Sequence, residues 1–437
     1  MNDLSVLFKK NLSSNIKKHL YFWTISAFLL NLVALIVPLH ISSILYVADV
    51  LLVFLLFFIY ILFLKFPFRL NAVTGFSLLI QAWLLITTLY AYLALFRSTE
   101  FSVYQYRFLL YILYFYVGYA FCTLFPYSRR LIIFLLLLEG VFSVVTAFFQ
   151  FLHFSPAVHW ANAVIGPGFN IAHWAGRDVL RAGGLEGWPG RYTDMCARNI
   201  FLLIGLTWGK VLKLSRFLLI LFFLIGGLIA QFRTGYLLLG LAVIFLIKLI
   251  WSQKTSLKML YSSFLFISFC VFLGAEAKHL SYVFHTNLQT SESLKFRETV
   301  TWAPAYYIAK EVPWTGIGID TRLEGFNPAH LNSKWTDANV SMDNGYFLFF
   351  SWGGYPAVAI IIVSFITLIV LLWRLWKNNN LTSEHRAFVL WGLLTMIGFT
   401  VTMVTRNGII QTKTMTLIFF TAGFVMQSPF KKLNTKE

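Results

Sequence analysis

The sequence predicts an all-α integral membrane protein of about twelve transmembrane helices with two long extracytoplasmic loops, and three observations predict it. Of 437 residues, 59% are hydrophobic and 12% charged, where a soluble domain carries about 25% charged residues, so this chain has its surface in lipid. The apolar residues come in runs of about twenty, the length that crosses a hydrocarbon core. The Lys and Arg behind the net charge of +18 stand in small groups between those runs, which is the pattern of topology and not the stripe or tail that binds nucleic acid.

The spans are expected at 20–39, 43–64, 73–95, 108–125, 131–152, 194–212, 217–232, 234–250, 259–275, 345–372, 387–405 and 414–428. Lys9, Lys10, Lys17 and Lys18 precede the first run and no small-x-small cleavage site follows it, so it reads as a retained span. Basic residues stay on the cytoplasmic side. With the N-terminus inside, the inner connections hold Lys65 and Arg69, then Arg129 and Arg130, then Lys210, Lys213 and Arg216. Lys254 and Lys258 follow, then Arg374, Lys377 and Arg386, and last the tail with Lys431, Lys432 and Lys436. The alternation closes with both termini cytoplasmic. Cys122, Cys196 and Cys270 lie in or beside apolar runs and read as packing residues, not as a disulfide set or metal site.

The chain thus divides into spans one to five (1–152), a first long loop (153–193), spans six to nine (194–275), a second long loop (276–344), and spans ten to twelve with a cytoplasmic tail (345–437). Both loops fall outside, and most of the acids lie in them or at their edges: Asp178, Glu186, Asp194, Glu276, Glu292, Glu298, Glu311, Asp320, Glu324, Asp337 and Asp343. Long polar loops on an apolar scaffold are where chemistry is expected. Arg177, Arg181, Arg191, Arg198, Arg233, Arg297, Arg322 and Arg406 also fall on the outer side or at the outer membrane edge, against the charge bias. Arg233 sits in an apolar stretch with almost no connection around it, and a guanidinium at that depth costs about 3 kcal/mol unless an anion or cavity receives it. It either snorkels to headgroups or joins a convergent anion site, for which its fork of donors suits phosphate. Trp160, Trp174, Trp188, Trp302, Trp314 and Trp335 stand in the two loops and read equally as interfacial belt residues or as sugar-stacking platforms.

Several stretches together resemble one family. QFRTGYLLLG (231–240) resembles the Arg-x3-Leu motif of O-antigen ligases and polymerases, with Arg233 and Leu237 in its positions. FRETVTWAPAYYIAKEVPWTGIG (296–318) resembles the superfamily's signature, an arginine, a tryptophan, and an amphipathic segment ending in Pro and a Gly-x-Gly turn. DNGYFLFFSWGG (343–354) resembles the element after it, with Asp343 and Asn344 opening a span and Gly354 closing it, and RAGGLEGWPGRYTD (181–194) resembles the superfamily's Arg-x-x-Gly with a loop Pro. In the ligases a His-x10-Gly motif begins the span that here starts near Gly345, and its histidine addresses the acceptor hydroxyl; this chain has Asp343 there. The departure favours a Wzy-type polymerase over a ligase, while His330 in the same loop keeps the ligase reading open.

The resemblance implies a GT-C-like glycosyltransferase in the bacterial inner membrane. Its donor and acceptor would be polyprenyl-diphosphate-linked oligosaccharides, with membrane lipids and a chain-length regulator as further partners. Arg181, Arg233, Arg297 and Arg406 would hold the donor diphosphate, Asp343 or His330 would be the base, and Trp188, Trp302, Trp335 and Asn344 would meet the glycan. No Asp-x-Asp pair stands in the chain, so neither a metal nor another cofactor is expected. The alternative of another class is a transporter or flippase of lipid-linked oligosaccharide, although the two halves differ in loop placement and show no internal repeat.

The topology is open to direct test. A cysteine placed at Asn379 should be labelled only from the cytoplasm and one at Asn332 only from outside; labelling of both from one side would refute the scheme.

Overall fold

The computed structural model describes residues 71–94, 107–124, 128–165, 171–174, 177–186, 188–230, 232–267, 302–319, 344–377, 383–404 and 412–426, with the single positions 19, 22, 270 and 381. The first two expected spans lie outside these, apart from Phe22. The described chain is helical: α1 (Ala72–Ala94), α2 (Arg107–Leu124), α3 (Ser128–Phe151), α4 (Ser155–Ile165), α5 (Pro189–Thr207), α6 (Leu214–Ile229), α7 (Arg233–Trp251), α8 (Ala303–Glu311), α9 (Gly345–Lys377), α10 (Ser383–Thr402) and α11 (Thr412–Met426). Residues 255–267 are helical too. Among the described residues, four stretches are long and apolar enough to cross a membrane: Ala72–Ala94, Ile132–Phe151, Gly345–Lys377 and Glu384–Thr402. Leu214–Ile229 and Gly235–Trp251 are shorter apolar helices. Phe134, Phe142, Ile244 and Ile366 are each more than half exposed on such helices, a surface that suits lipid and not water.

Two expectations change. The chain is not purely α, because Ile171–Trp174 (β1) and Arg177–Leu180 (β2) pair antiparallel from Ile171 with Leu180 to Trp174 with Arg177. The sixth span, expected at 194–212, is α5 and runs from Pro189 to Thr207. Pro189 can open it because the first helical position needs no N–H donor and proline's φ is already helical. Trp208 and Gly209, the latter at φ +71°, end it. Its early turns are polar, so hydropathy hides them. Tyr192, Thr193, Asp194, Arg198 and Asn199 are nevertheless buried, as is every residue of α5 except Arg191 and Leu206.

Glycine sets the closest helix contacts, since without a hydrophobic force between helices in lipid, packing depends on backbones coming near. At the α2–α11 crossing Gly118 lies against the Phe420 backbone and Gly423 against that of Phe115, with Tyr111 stacked on Phe419 at 5.3 Å. Gly205 of α5 lies against Ala387 of α10 in the same way. At one end of the bundle Arg130 of α3 pairs with Glu384 of α10 at 3.0 Å, an exposed contact contributing at most about 1 kcal/mol. At the other, Gly345 N–H donates to the Met403 carbonyl (2.8 Å) and the Tyr346 hydroxyl to that of Thr400 (3.0 Å), which ties the start of α9 to the end of α10.

α9 is two helices joined at a kink. At Gly353 (φ −143°, ψ 18°) and Gly354 (φ 65°, ψ −162°) the backbone leaves the helix, and Pro356 restarts it. The interruption frees carbonyls that in lipid would each cost several kcal/mol unpaired. The turn after α8 satisfies two of them, as Ile317 N–H donates to the Ser351 carbonyl (2.7 Å) and Gly318 N–H to that of Trp352 (3.0 Å), and it pairs the freed Tyr355 N–H of α9, which donates to the Pro313 carbonyl (2.9 Å). The Trp83 indole of α1 donates to the Gly353 carbonyl (2.8 Å), and Ile319 N–H to the Thr88 hydroxyl (3.0 Å). Residues 313–319 therefore dock into α9 about 13 Å along it from Gly345.

Gly354→Ala tests this joint, because its φ and ψ suit only glycine and a Cβ would meet the Pro313 and Trp314 backbones. The variant should lose about 3 kcal/mol of stability, read as a lower melting temperature of the purified protein, whereas Gly240→Ala, inside α7 where a Cβ meets open space, should leave it unchanged or raise it by up to about 1 kcal/mol. Equal melting of the two variants would contradict the joint.

Candidate functional site

The segment after β2 is built onto α3. The Gln150 side-chain oxygen accepts from Gly183 N–H (2.9 Å) and Gly184 N–H (2.8 Å), and its amide donates to the Gly184 carbonyl (3.3 Å). The Ser143 hydroxyl accepts from Leu185 N–H (3.0 Å). Gly184 turns at φ +54° where a Cβ would strike Ser143, so the loop lies flat on the helix. Ala182 is fully buried and Glu186 is 7% exposed, and the half-buried Arg181 opens this fixed segment.

The same segment runs into α5, whose start is locked beside that of α7. Trp188, just before α5, packs edge-on against Phe232, just before α7, at 5.4 Å. Thr193 fills the space over Gly235, and Gly190 lies under Trp188 and Phe232. The Tyr236 hydroxyl donates to the Leu228 carbonyl (3.2 Å) across the three residues between α6 and α7. Arg233 is thus the first residue of α7, at a helix N-terminus neighbouring that of α5, and both positive dipole ends lie there.

The other sequence-marked residues divide. Asn344 is 6% exposed and caps α9: its side-chain oxygen accepts from Tyr346 N–H (2.9 Å) and Phe347 N–H (3.1 Å). The cap of α9 is therefore Asn344. Trp302 precedes α8, and its ring meets Phe347 of α9 edge-on at 5.8 Å. Its indole nitrogen is buried without an acceptor among the described residues. Trp314, two-thirds exposed, leans on Tyr355 at 5.8 Å. Asp343, Arg297, His330, Trp335 and Arg406 lie outside the described residues, and of Arg233 the backbone alone is described.

No family model matches the chain, and none of the curated proteins matches it. What marks a site is therefore geometry. Four sequence-distant stretches interlock in two pairs, 181–194 with 232–235 and 302–319 with 344–355, and α10 joins the pairs by holding the start of α9 while packing on α5. Sequence reasoning missed Gln150 and Ser143. The available signal was two polar side chains seven residues apart, hence on one face of an otherwise apolar helix.

Gln150→Leu keeps the volume and removes the clamp, leaving two buried N–H groups unpaired at about 1–3 kcal/mol each. Amide hydrogen exchange at Gly183 and Gly184 should rise at least tenfold, with less change in Ser143→Ala, which frees the Leu185 N–H alone. Unchanged protection in Gln150→Leu would mean that the segment is held by something else.

Proposed function

We propose that this protein is a polysaccharide polymerase of the bacterial inner membrane, a glycosyltransferase that moves a polyprenyl-diphosphate-linked glycan onto the sugar end of another lipid-linked repeat unit. The observation that carries the reading is the interlocking of the four resembling stretches, 181–194, 231–240, 296–318 and 343–354, through their described parts. These are the stretches that a lipid-diphosphate transferase would need in one place.

In this reading both termini are cytoplasmic and the site faces the periplasm. Arg233 and Arg297, with Arg181 and Arg406, hold the diphosphate and offset the charge that grows on it as its bond to the sugar C1 breaks. A diphosphate leaves without needing a proton. Asp343 accepts the proton of the attacking acceptor hydroxyl, and the new glycosidic bond forms at the same C1. Trp188, Trp302, Trp335 and Asn344 line the way of the glycan, and no metal is required.

Purified protein incubated with lipid-linked repeat units should yield a ladder of lengthened chains without added divalent ions. A conjugate to lipid A-core instead would make it a ligase, and movement of unlengthened substrate across a vesicle would make it a transporter. Asp343→Asn should slow the chemical step about a hundredfold with donor binding intact, and since Asn344 is the cap, helix α9 should be untouched. Arg233→Lys should lose most activity, because a point charge lacks the fork. Full turnover in Asp343→Asn with a large loss in His330→Ala would transfer the base role to His330.

A further inference from the structure

The helices α5, α7 and α9 finish at the end of the bundle where α10 begins, and a row of rings joins them. Trp208, the residue after α5, meets Trp376 of α9 edge-on at 5.7 Å, and Trp376 lies 5.1 Å from Trp373 on the same helix. Lys248, in the last turn of α7, holds its Nζ 5.6 Å from the centre of the Trp208 ring, and Lys377, the last residue of α9, holds its Nζ 5.0 Å from that of Trp373. A lysine thus stands at each end of the row. The turn that follows Trp208 is fastened from two sides, since Leu212 N–H donates to the Gln253 side-chain oxygen (2.9 Å) and the Tyr261 hydroxyl donates to the Leu212 carbonyl (2.6 Å). Among the described residues neither lysine has a carboxylate within ion-pairing distance, and Glu384, at the start of α10, is paired with Arg130.

Each lysine ends an exposed apolar stripe. On α7, Leu237 and Ile244 share one helix face with Lys248, and on α9, Ile366, Val370 and Trp373 share one with Lys377; all five of these apolar residues are at least 40% exposed. The preference of basic residues for one side of a membrane explains lysines at this end, but not why two of them lie on rings of one row above such stripes. We propose that the row is a seat for an acidic phospholipid of the phosphatidylglycerol class, its phosphodiester drawn to Lys248 and Lys377 and its acyl chains laid along the stripes. Cations without carboxylates call for an anion, exposed apolar stripes call for hydrocarbon, and indole rings settle where the two meet. A choline lipid fits worse. Lysine ammonium groups already occupy a face of Trp208 and of Trp373, where a quaternary ammonium would otherwise stack, and they repel it.

The test is native mass spectrometry of the full-length protein in detergent at low salt, titrated with phosphatidylglycerol or with phosphatidylcholine of the same acyl chains. The wild type should bind phosphatidylglycerol about tenfold more tightly, each of the two lysines supplying about a threefold share. Lys248→Gln with Lys377→Gln should abolish most of that preference. Lys213→Gln with Lys254→Gln removes the same charge from the same end, away from the row, and should keep the preference within about twofold. Lys248→Arg with Lys377→Arg retains both charge and ring contact and should bind as the wild type does. Equal binding of the two lipids by the wild type would overturn the proposal, and so would equal loss in the two glutamine pairs, which would reveal a general basic field with no seat in it. Should the double glutamine variant not fold, the single variants decide: a loss of about threefold in each supports the seat, and an unchanged preference in both overturns it.

Discussion

The hydrogen bonds across the break in α9 are the constraint on which the rest depends. A helix interrupted at membrane depth must have its carbonyls paired by protein, because lipid supplies no donors. Here the pairing comes from a turn 34 or more residues earlier in sequence, with Ile317 on Ser351 and Gly318 on Trp352. Gly316, Gly318 and Gly354 all take positive φ, so the turn and the break can approach with backbone in place of side chains. Trp83 and Thr88 then fasten both partners to α1. The consequence for function is positional. Ile319 is bonded to α1, and Asn344 caps α9 beside the end of α10, so the described residues on either side of 320–343 are both held in place.

The helices were largely legible because apolar runs bounded by basic groups mark where a chain can live in lipid. α1, α2, α3, α6, α7, α9, α10 and α11 begin within about four residues of their expected positions. The misplaced α5 shows the limit of that signal. Hydropathy assumes that a polar residue seeks water, and in α5 Tyr192, Asp194 and Asn199 are instead enclosed by protein. The hairpin was hidden for another reason: two four-residue strands carry too short an alternation to stand out.

The candidate site was legible where a residue's place follows from chain connectivity and hidden where it follows from a single side chain. Arg233 at the head of a span could be read because the apolar runs on both sides leave it nowhere else to go. The clamp by Gln150 could not, since one amide bonding across 33 and 34 residues leaves no periodic trace. Asp343 and Asn344 stand side by side and cap about equally well, so only the bonds to Tyr346 and Phe347 distinguish them.

The order of α5, α6 and α7 has an electrostatic result that no single side chain produces. α6 returns antiparallel between them, so α5 and α7 start at the same end, locked by Trp188 on Phe232 and Thr193 on Gly235. Each start contributes roughly half a positive charge from unpaired backbone N–H groups, and Arg233 is the first residue of α7. Pro189 removes one donor at the head of α5 but leaves the dipole in place. The glycines that make this packing possible therefore also concentrate the potential, and substitutions that separate α5 from α7 would weaken an anion's attraction without touching any arginine.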